Sequence, residues 1–188
     1  MKKLLLAGLV MGALALTGCD ALGGAGGATS ATCPEPGEGM EQYTSEVGGF
    51  CVNFPEEYTV TEFEEGSSVR IEQEPPAMPH PLPPFASIDV LGELGQSAED
   101  AAGAVEADIQ AALPDWQVVR ETTTLGGESA VVLRSIPGQD LNRQVFAEHE
   151  GRLYRLTFYP DDEAVPEFGE MERLYSAVLE SFTFTGAE

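Results

Sequence analysis

Short runs of alternating apolar and polar residues follow one another beyond residue 50, and they predict a domain rich in β-strands. Alternation at every second position is typical of a strand that has one face buried and the other exposed. The pattern predicts strands at 50–54, 58–63, 68–72, 86–91, 116–125, 128–136, 144–149 and 152–159, and a last short one at 182–184. Gly-containing pairs at 126–127, 137–138 and 150–151 separate the later strands, as in tight antiparallel turns.

Two segments repeat their apolar residues at helical spacing instead. Ser97 begins the first helix with Asp100 three residues on, in a capping-box arrangement, and Pro114 ends it. The second helix covers about 166–180. The strand at 152–159 has apolar residues on both faces, which predicts a sheet covered on both sides. The pattern therefore predicts a single α+β domain in which helices flank an antiparallel sheet on both faces.

The proline-rich stretch at 75–84 interrupts this pattern. Proline has no N–H donor and a fixed φ, so the stretch is neither a helix nor a central strand. We predict an exposed extended loop, and the alternative is a docking motif in the polyproline conformation.

The first 18 residues have the features of a signal peptide. Two lysines precede an apolar run that is too short to cross a membrane permanently. The four residues from Leu16 to Cys19 resemble the lipobox of bacterial lipoproteins. The resemblance implies that the thiol of Cys19 receives a diacylglycerol and that a peptidase cuts between Gly18 and Cys19. The alternative is an ordinary secretory signal whose cleavage site happens to precede a cysteine.

A flexible tether follows the lipidation site. Residues 19–32 are rich in Gly, Ala and Ser and have no apolar periodicity, so the folded domain is expected at 33–188. Cys33 and Cys51 remain as an even pair in an oxidising compartment, which predicts a disulfide. The alternative is two free thiols in a metal site, although no third Cys and no nearby His supports it.

The charge of the mature chain is strongly negative. Beyond the two leader lysines, seven arginines face 32 acidic residues, which leaves a net charge of −25 and no lysine. Nucleic acids are excluded as partners because phosphate binding needs clustered Lys or Arg. The acid excess fits either a solubility or salt adaptation or a site for divalent cations.

Four segments resemble the PsbP-like family, which is named for an accessory protein of the photosynthetic oxygen-evolving complex. They are GGFCVNFPEEYTV, TTTLGGESAVVL, EGRLYRLTFYP and LYSAVLESFTF, within roughly residues 43–185. The resemblance implies an antiparallel sheet with helices on both faces, and it implies no shared active site. The proline-rich stretch and the extreme acidity depart from the family pattern.

The sequence has few residues for catalysis or metal binding. The two histidines are His80, in the proline-rich stretch, and His149, at a turn between Glu148 and Glu150, where a solvated turn is favoured over a zinc site. The acids at 161–163 fit either a loose calcium site or a helix start, whose dipole they complement. No nucleophile motif is present, so we predict no catalytic residue, no metal ligand and no cofactor.

Together these features predict a lipid-anchored protein at the cell membrane, on the extracytoplasmic side (periplasm or cell surface). We predict that it acts as a non-enzymatic binding or accessory module, with an envelope protein as a possible partner. The alternatives are a divalent-cation-binding surface protein and an envelope hydrolase.

Overall fold

The computed structural model of the chain describes residues 32–73, 83–92 and 95–186. Along these residues the elements are β1 (Met40–Ser45), β2 (Phe50–Pro55), β3 (Thr59–Phe63), β4 (Ser68–Glu72), β5 (Phe85–Val90), α1 (Ala98–Ala112), β6 (Val119–Leu125), β7 (Glu128–Ile136), β8 (Asn142–His149), β9 (Arg152–Tyr159), α2 (Phe168–Ser181) and β10 (Thr183–Phe184). A 3₁₀ turn at Glu64–Gly66 joins β3 to β4.

Several predicted features lie outside the described residues. These are the signal peptide, the cleavage and lipidation site at Gly18 and Cys19, nearly all of the tether, and most of the proline-rich stretch with His80. Their assignments stay predictions.

A seven-stranded antiparallel sheet forms the centre of the fold, in the order β3-β4-β5-β9-β8-β7-β6. Successive residues of its strands face opposite sides. Val131 and Phe146 belong to the apolar cluster beneath α1, whereas Val132 and Val145 belong to the cluster beneath α2. The predicted α+β fold, with helices on both faces of an antiparallel sheet, is confirmed.

The face beneath α2 is also covered by a second sheet that the sequence pattern did not predict. This sheet has the order β1-β2-β10, so the first predicted strand pairs with the last. Phe50 packs against Phe182 with their ring centroids 5.3 Å apart, and Phe182 contacts Phe184 at 5.0 Å. Aromatic pairs of this kind add to the stability that their buried area supplies.

The predicted limits of α1 agree with the structure. The Ser97 hydroxyl accepts the Asp100 N–H at 3.1 Å and donates to the Asp100 carboxylate at 2.8 Å, so the side chains cap the helix start. The helix ends at Ala112, two residues before Pro114. Residues 116–118 were predicted as strand but have no regular secondary structure, because they follow a turn at 114–115 that the Trp116 N–H closes by donating to the Leu113 carbonyl at 3.0 Å.

Cys33 and Cys51 form the predicted disulfide, with their Cα atoms 6.0 Å apart. Beside it, the carbonyl of Pro34 accepts hydrogen bonds from the side chains of Gln42 at 2.7 Å and Asn53 at 3.2 Å. The start of the described chain is therefore held across β1 and β2. Among the described residues, no helix has the length and apolar content that a membrane crossing needs.

Candidate binding surface

The antiparallel order places several connections at one end of the central sheet. The β3–β4, β6–β7 and β8–β9 turns lie there, and so does the turn at 46–49 between β1 and β2. We call one part of this end the loop-end surface, which consists of residues 46–49, 62–68, 89–91, Arg152 and Arg155.

The turn at 46–49 is held by hydrogen bonds from the central sheet. Tyr154 donates its hydroxyl to the Gly48 carbonyl at 3.0 Å, and Arg152 donates to the Val47 carbonyl at 3.0 Å. The Ser45 hydroxyl accepts the Gly48 N–H at 2.8 Å and donates to the Gly66 carbonyl at 2.7 Å. A Cβ atom at Gly48 would lie 2.5 Å from the Phe50 ring, so the close approach requires glycine. The turn is fixed before any partner binds, which lowers the entropic cost of binding.

Two large apolar side chains on this surface are exposed to solvent. The exposed fraction is 50% for Val47, in the fixed turn, and 47% for Phe63, at the end of β3. Single exposed apolar residues are common on protein surfaces. These two differ because each of them lines a surface cavity that also contains charged groups.

The first cavity has a volume of about 270 Å³ and lies between β1 and the end of β3, where it is lined by Tyr43, Ser45, Glu46, Val47, Glu62 and Gly66. The Tyr43 hydroxyl donates to the Glu62 carboxylate at 2.9 Å. Burial, together with this hydrogen bond and the charge of Glu62, raises the pKa of Tyr43 to about 12. The hydroxyl is therefore neutral at physiological pH and serves as a hydrogen-bond donor.

The second cavity has a volume of about 440 Å³ and is lined by Phe63, Glu64, Ser67, Ser68, Asp89 and Arg155. The guanidinium of Arg155 contacts the Asp89 carboxylate at 3.1 Å, and the Ser68 hydroxyl donates to the same carboxylate at 2.7 Å. In the part of the chain that the structure describes, the buried Nε of Arg155 has no hydrogen-bond partner. The cavity therefore places an arginine–aspartate ion pair beside an exposed aromatic ring.

Arg152 is bonded differently from the other arginines. The other six each form an ion pair with a carboxylate, whereas Arg152 donates to the backbone carbonyls of Val47 and Gly48. Its charge contributes to the surface while its side chain holds the turn. The loop-end surface thus combines two apolar side chains, two arginines and several carboxylates.

His149 lies at the same end, where the sequence favoured a solvated turn, but its side chain is partly buried. Its Nδ1 is 2.9 Å from the Glu128 carboxylate, and its ring stacks on Phe184 with the centroids 4.1 Å apart. The contacts link β7 and β8 to β10 rather than joining His149 to Glu148 or Glu150. Across residues 32–73, 83–92 and 95–186, no group of three or more His, Cys, Asp or Glu side chains is arranged to hold a metal ion.

The sequence interpretation of the acids at 161–163, as charges that complement the dipole at a helix start, is wrong for Asp161. The Asp161 side chain is fully buried at the opposite end of the sheet, where Arg143 donates to it at 2.7 and 3.2 Å. The N–H of Ser135 also donates to it at 2.9 Å. Arg143 pairs further with Glu172, and its guanidinium lies 4.3 Å from the centre of the Tyr175 ring. The sequence did not predict this network, whose members come from β7, β8, the segment after β9 and α2.

The charge of Arg143 is maintained by these partners. Burial alone would lower its pKa, but the hydrogen bonds to Glu172 and Asp161 and their negative charges raise the pKa above its ordinary value. Because each buried charge has a partner, the network fixes the position of α2 against the sheet rather than offering a reactive group.

No protein-family model matches the chain, and no curated protein matches it. The chain is similar to the solution structure of cyanobacterial PsbP (CyanoP) from Synechocystis sp. PCC 6803, with 14% identity and a TM-score of 0.49 over 87% of this chain and 98% of that one. It is also similar to the crystal structure of LpqN, involved in cell envelope biogenesis of Mycobacterium tuberculosis. That match has 19% identity and a TM-score of 0.46 over 78% of this chain and 92% of LpqN. At these values neither likeness carries an argument about function.

Proposed function

We propose that the chain is an extracytoplasmic lipoprotein, anchored at Cys19, whose domain binds a protein of the cell envelope through the loop-end surface. The observation that carries the proposal is the pair of exposed apolar side chains, Val47 and Phe63, held beside two cavities by a hydrogen-bonded framework. Preorganised apolar side chains that are surrounded by polar groups are characteristic of protein interaction sites.

The predicted anchor supports this function because it would keep the domain close to envelope proteins. Fully extended, a tether of residues 19–32 would reach roughly 45 Å from the lipid. The disulfide of Cys33 holds the end of this tether to β2, so the domain would move as one body on a flexible link.

The charge of the domain indicates which surface a partner presents. A net charge of −25 repels anionic lipid headgroups and acidic proteins. The expected partner is therefore an envelope protein with a neutral or basic docking surface. The proposal includes no catalytic residue and no cofactor.

The proposal is tested by isolating the full-length protein from detergent-solubilised membranes of its own host. We expect specific envelope proteins to co-purify with the wild type. The recovered amount of these proteins should fall about tenfold or more with the V47A/F63A variant, because buried apolar contacts dominate interface energies. Ala104, which is exposed on α1, provides the control substitution A104S. Equal recovery of the same proteins with V47A/F63A would contradict the proposal.

A further inference from the structure

A third cavity lies far from the loop-end surface, at the C-terminal end of α1. This cavity, which we call the α1-end cavity, has a volume of about 530 Å³ and is lined by Glu106, Gln110, Pro114, Asp115, Trp116 and Gln117. Its volume falls within the range of sites that hold small ligands or side chains. We propose that it binds an arginine or lysine side chain of a protein partner, next to an apolar residue.

Trp116 forms an aromatic wall of the α1-end cavity and is held in place from two sides. Its indole N–H donates to the Ser135 carbonyl at 2.8 Å, and its own carbonyl accepts from the Gln110 side chain at 2.6 Å. The ring is partly exposed, so a cation can approach it. Cationic side chains bind preferentially over the face of a tryptophan ring.

The cavity lies at the negative end of the α1 dipole. The last turn of α1 contains no basic residue, and Pro114 has no N–H to donate to the Gln110 carbonyl. Glu106 is neutralised by its ion pair with Arg120. No described residue forms an ion pair or a hydrogen bond with the exposed carboxylate of Asp115. The helix end and Asp115 together leave negative charge that a bound cation would compensate.

One exposed apolar side chain lies next to the lining residues in the chain. Leu113, with an exposed fraction of 43%, directly precedes Pro114. It offers an apolar contact to a residue beside a bound cation. This contact favours a basic side chain with an apolar neighbour over a free inorganic cation, which would gain nothing from Leu113.

The occupant is a different protein rather than a second copy of this chain. Two copies would each bring a net charge of −25 and would repel one another. The mature chain has no lysine, and its seven arginines are bonded within their own domain. A partner with basic residues supplies the complementary charge.

Trp116 is the only tryptophan in the chain, so its fluorescence reports on this cavity alone. The test titrates the full-length protein with the peptide acetyl-Leu-Arg-Val-amide, and with the same peptide carrying neutral citrulline in place of arginine. We expect a saturable change in Trp116 fluorescence with the arginine peptide and binding at least about tenfold weaker with citrulline. No saturable change, or equal affinity for both peptides, would overturn the inference.

A matched pair of variants separates the site from the general negative charge. We expect Asp115→Asn to weaken binding of the arginine peptide about fivefold, because it removes the unpaired carboxylate of the cavity. Asp108→Asn removes an exposed carboxylate of the same helix that does not line the cavity, and it should leave the affinity nearly unchanged. Equal weakening by both variants would show attraction by the overall charge and would overturn the assignment. The V47A/F63A variant should bind the peptide as the wild type does, so the two proposals can fail separately.

Discussion

Two buried tyrosines show that a buried hydroxyl group stabilises the fold only where it has a hydrogen-bond partner. Tyr58 and Tyr154 are each 1% exposed. The Tyr154 hydroxyl donates to the Gly48 carbonyl at 3.0 Å and so holds the turn of the loop-end surface. The Tyr58 hydroxyl has no hydrogen-bond partner among the described residues, so its burial costs free energy without compensation.

The substitution of each tyrosine by phenylalanine tests this difference. We expect Y154F to lower the free energy of unfolding by about 1 kcal/mol, because it removes a buried hydrogen bond. Y58F should leave that free energy unchanged or raise it, because it removes an unpaired polar group. Urea denaturation of the two variants measures both values. A loss in Y58F as large as that in Y154F would contradict the assignment of partners.

The tyrosines also predict how stability depends on alkaline pH. The chain has five tyrosines, and burial raises the pKa of every one of them, to about 12 for Tyr43 and Tyr58. In the unfolded chain a tyrosine loses its proton near pH 10. Between about pH 10 and pH 12 the folded state therefore binds more protons than the unfolded state, and the free energy of unfolding falls as the pH rises.

This effect is easy to isolate because the mature chain has no lysine that would titrate in the same range. We expect stability to be constant up to about pH 9 and to decrease above it, with tyrosinate absorbance appearing together with unfolding. Y58F should make the decrease less steep. Tyrosinate absorbance near pH 10 in a chain that is still folded would contradict the prediction.

The β6–β7 hairpin shows what the sequence predicts well at the scale of elements. Gly126 and Gly127 both have positive φ, at 57° and 89°, as the Gly-Gly signal of the turn requires. Only the structure shows that they differ in their surroundings. A Cβ atom at Gly126 would lie 2.6 Å from the Phe184 ring of β10, whereas a Cβ atom at Gly127 would have no neighbour within 4 Å.

Alanine at each position separates backbone strain from this contact. Both substitutions should destabilise the fold by about 1 kcal/mol because of the positive φ. G126A should cost about 1–3 kcal/mol more, because the added methyl group clashes with Phe184 and disturbs the pairing of β10 with β2. Thermal or urea unfolding gives both values, and equal losses would show that β10 does not rest on the hairpin.

The elements that the sequence could not predict have weak local patterns. β1 buries only Ser45 fully and leaves three of its six residues exposed, so it shows no alternation. It forms because β2 and the disulfide hold it in place. The Arg143–Asp161–Glu172 network was equally hidden, because ion pairs between distant segments leave no periodicity in a chain with 32 acidic residues. By contrast, the strands at 68–72, 128–136 and 152–159 have the predicted limits.

At the scale of the whole molecule, the sequence predicted the charge but not where binding surfaces would form. Val47 and Phe63 are ordinary apolar residues of a turn and a strand in the sequence. They become neighbours of cavities only because the turn at 46–49 folds onto the end of the central sheet. The strong negative charge leaves such apolar positions as the places where another protein gains the most from contact.

The central claim is that a protein of the envelope contacts the loop-end surface in the cell. The most direct measurement places a photo-crosslinking amino acid at Phe63, at Val47 and, as a control, at Ala104, in the lipid-anchored protein of its native host. We expect one discrete crosslinked protein from Phe63 and Val47, none from Ala104, and loss of the crosslink when Cys19→Ser removes the anchor. Crosslinks of equal strength from all three positions, or none from Phe63 and Val47, would contradict the claim.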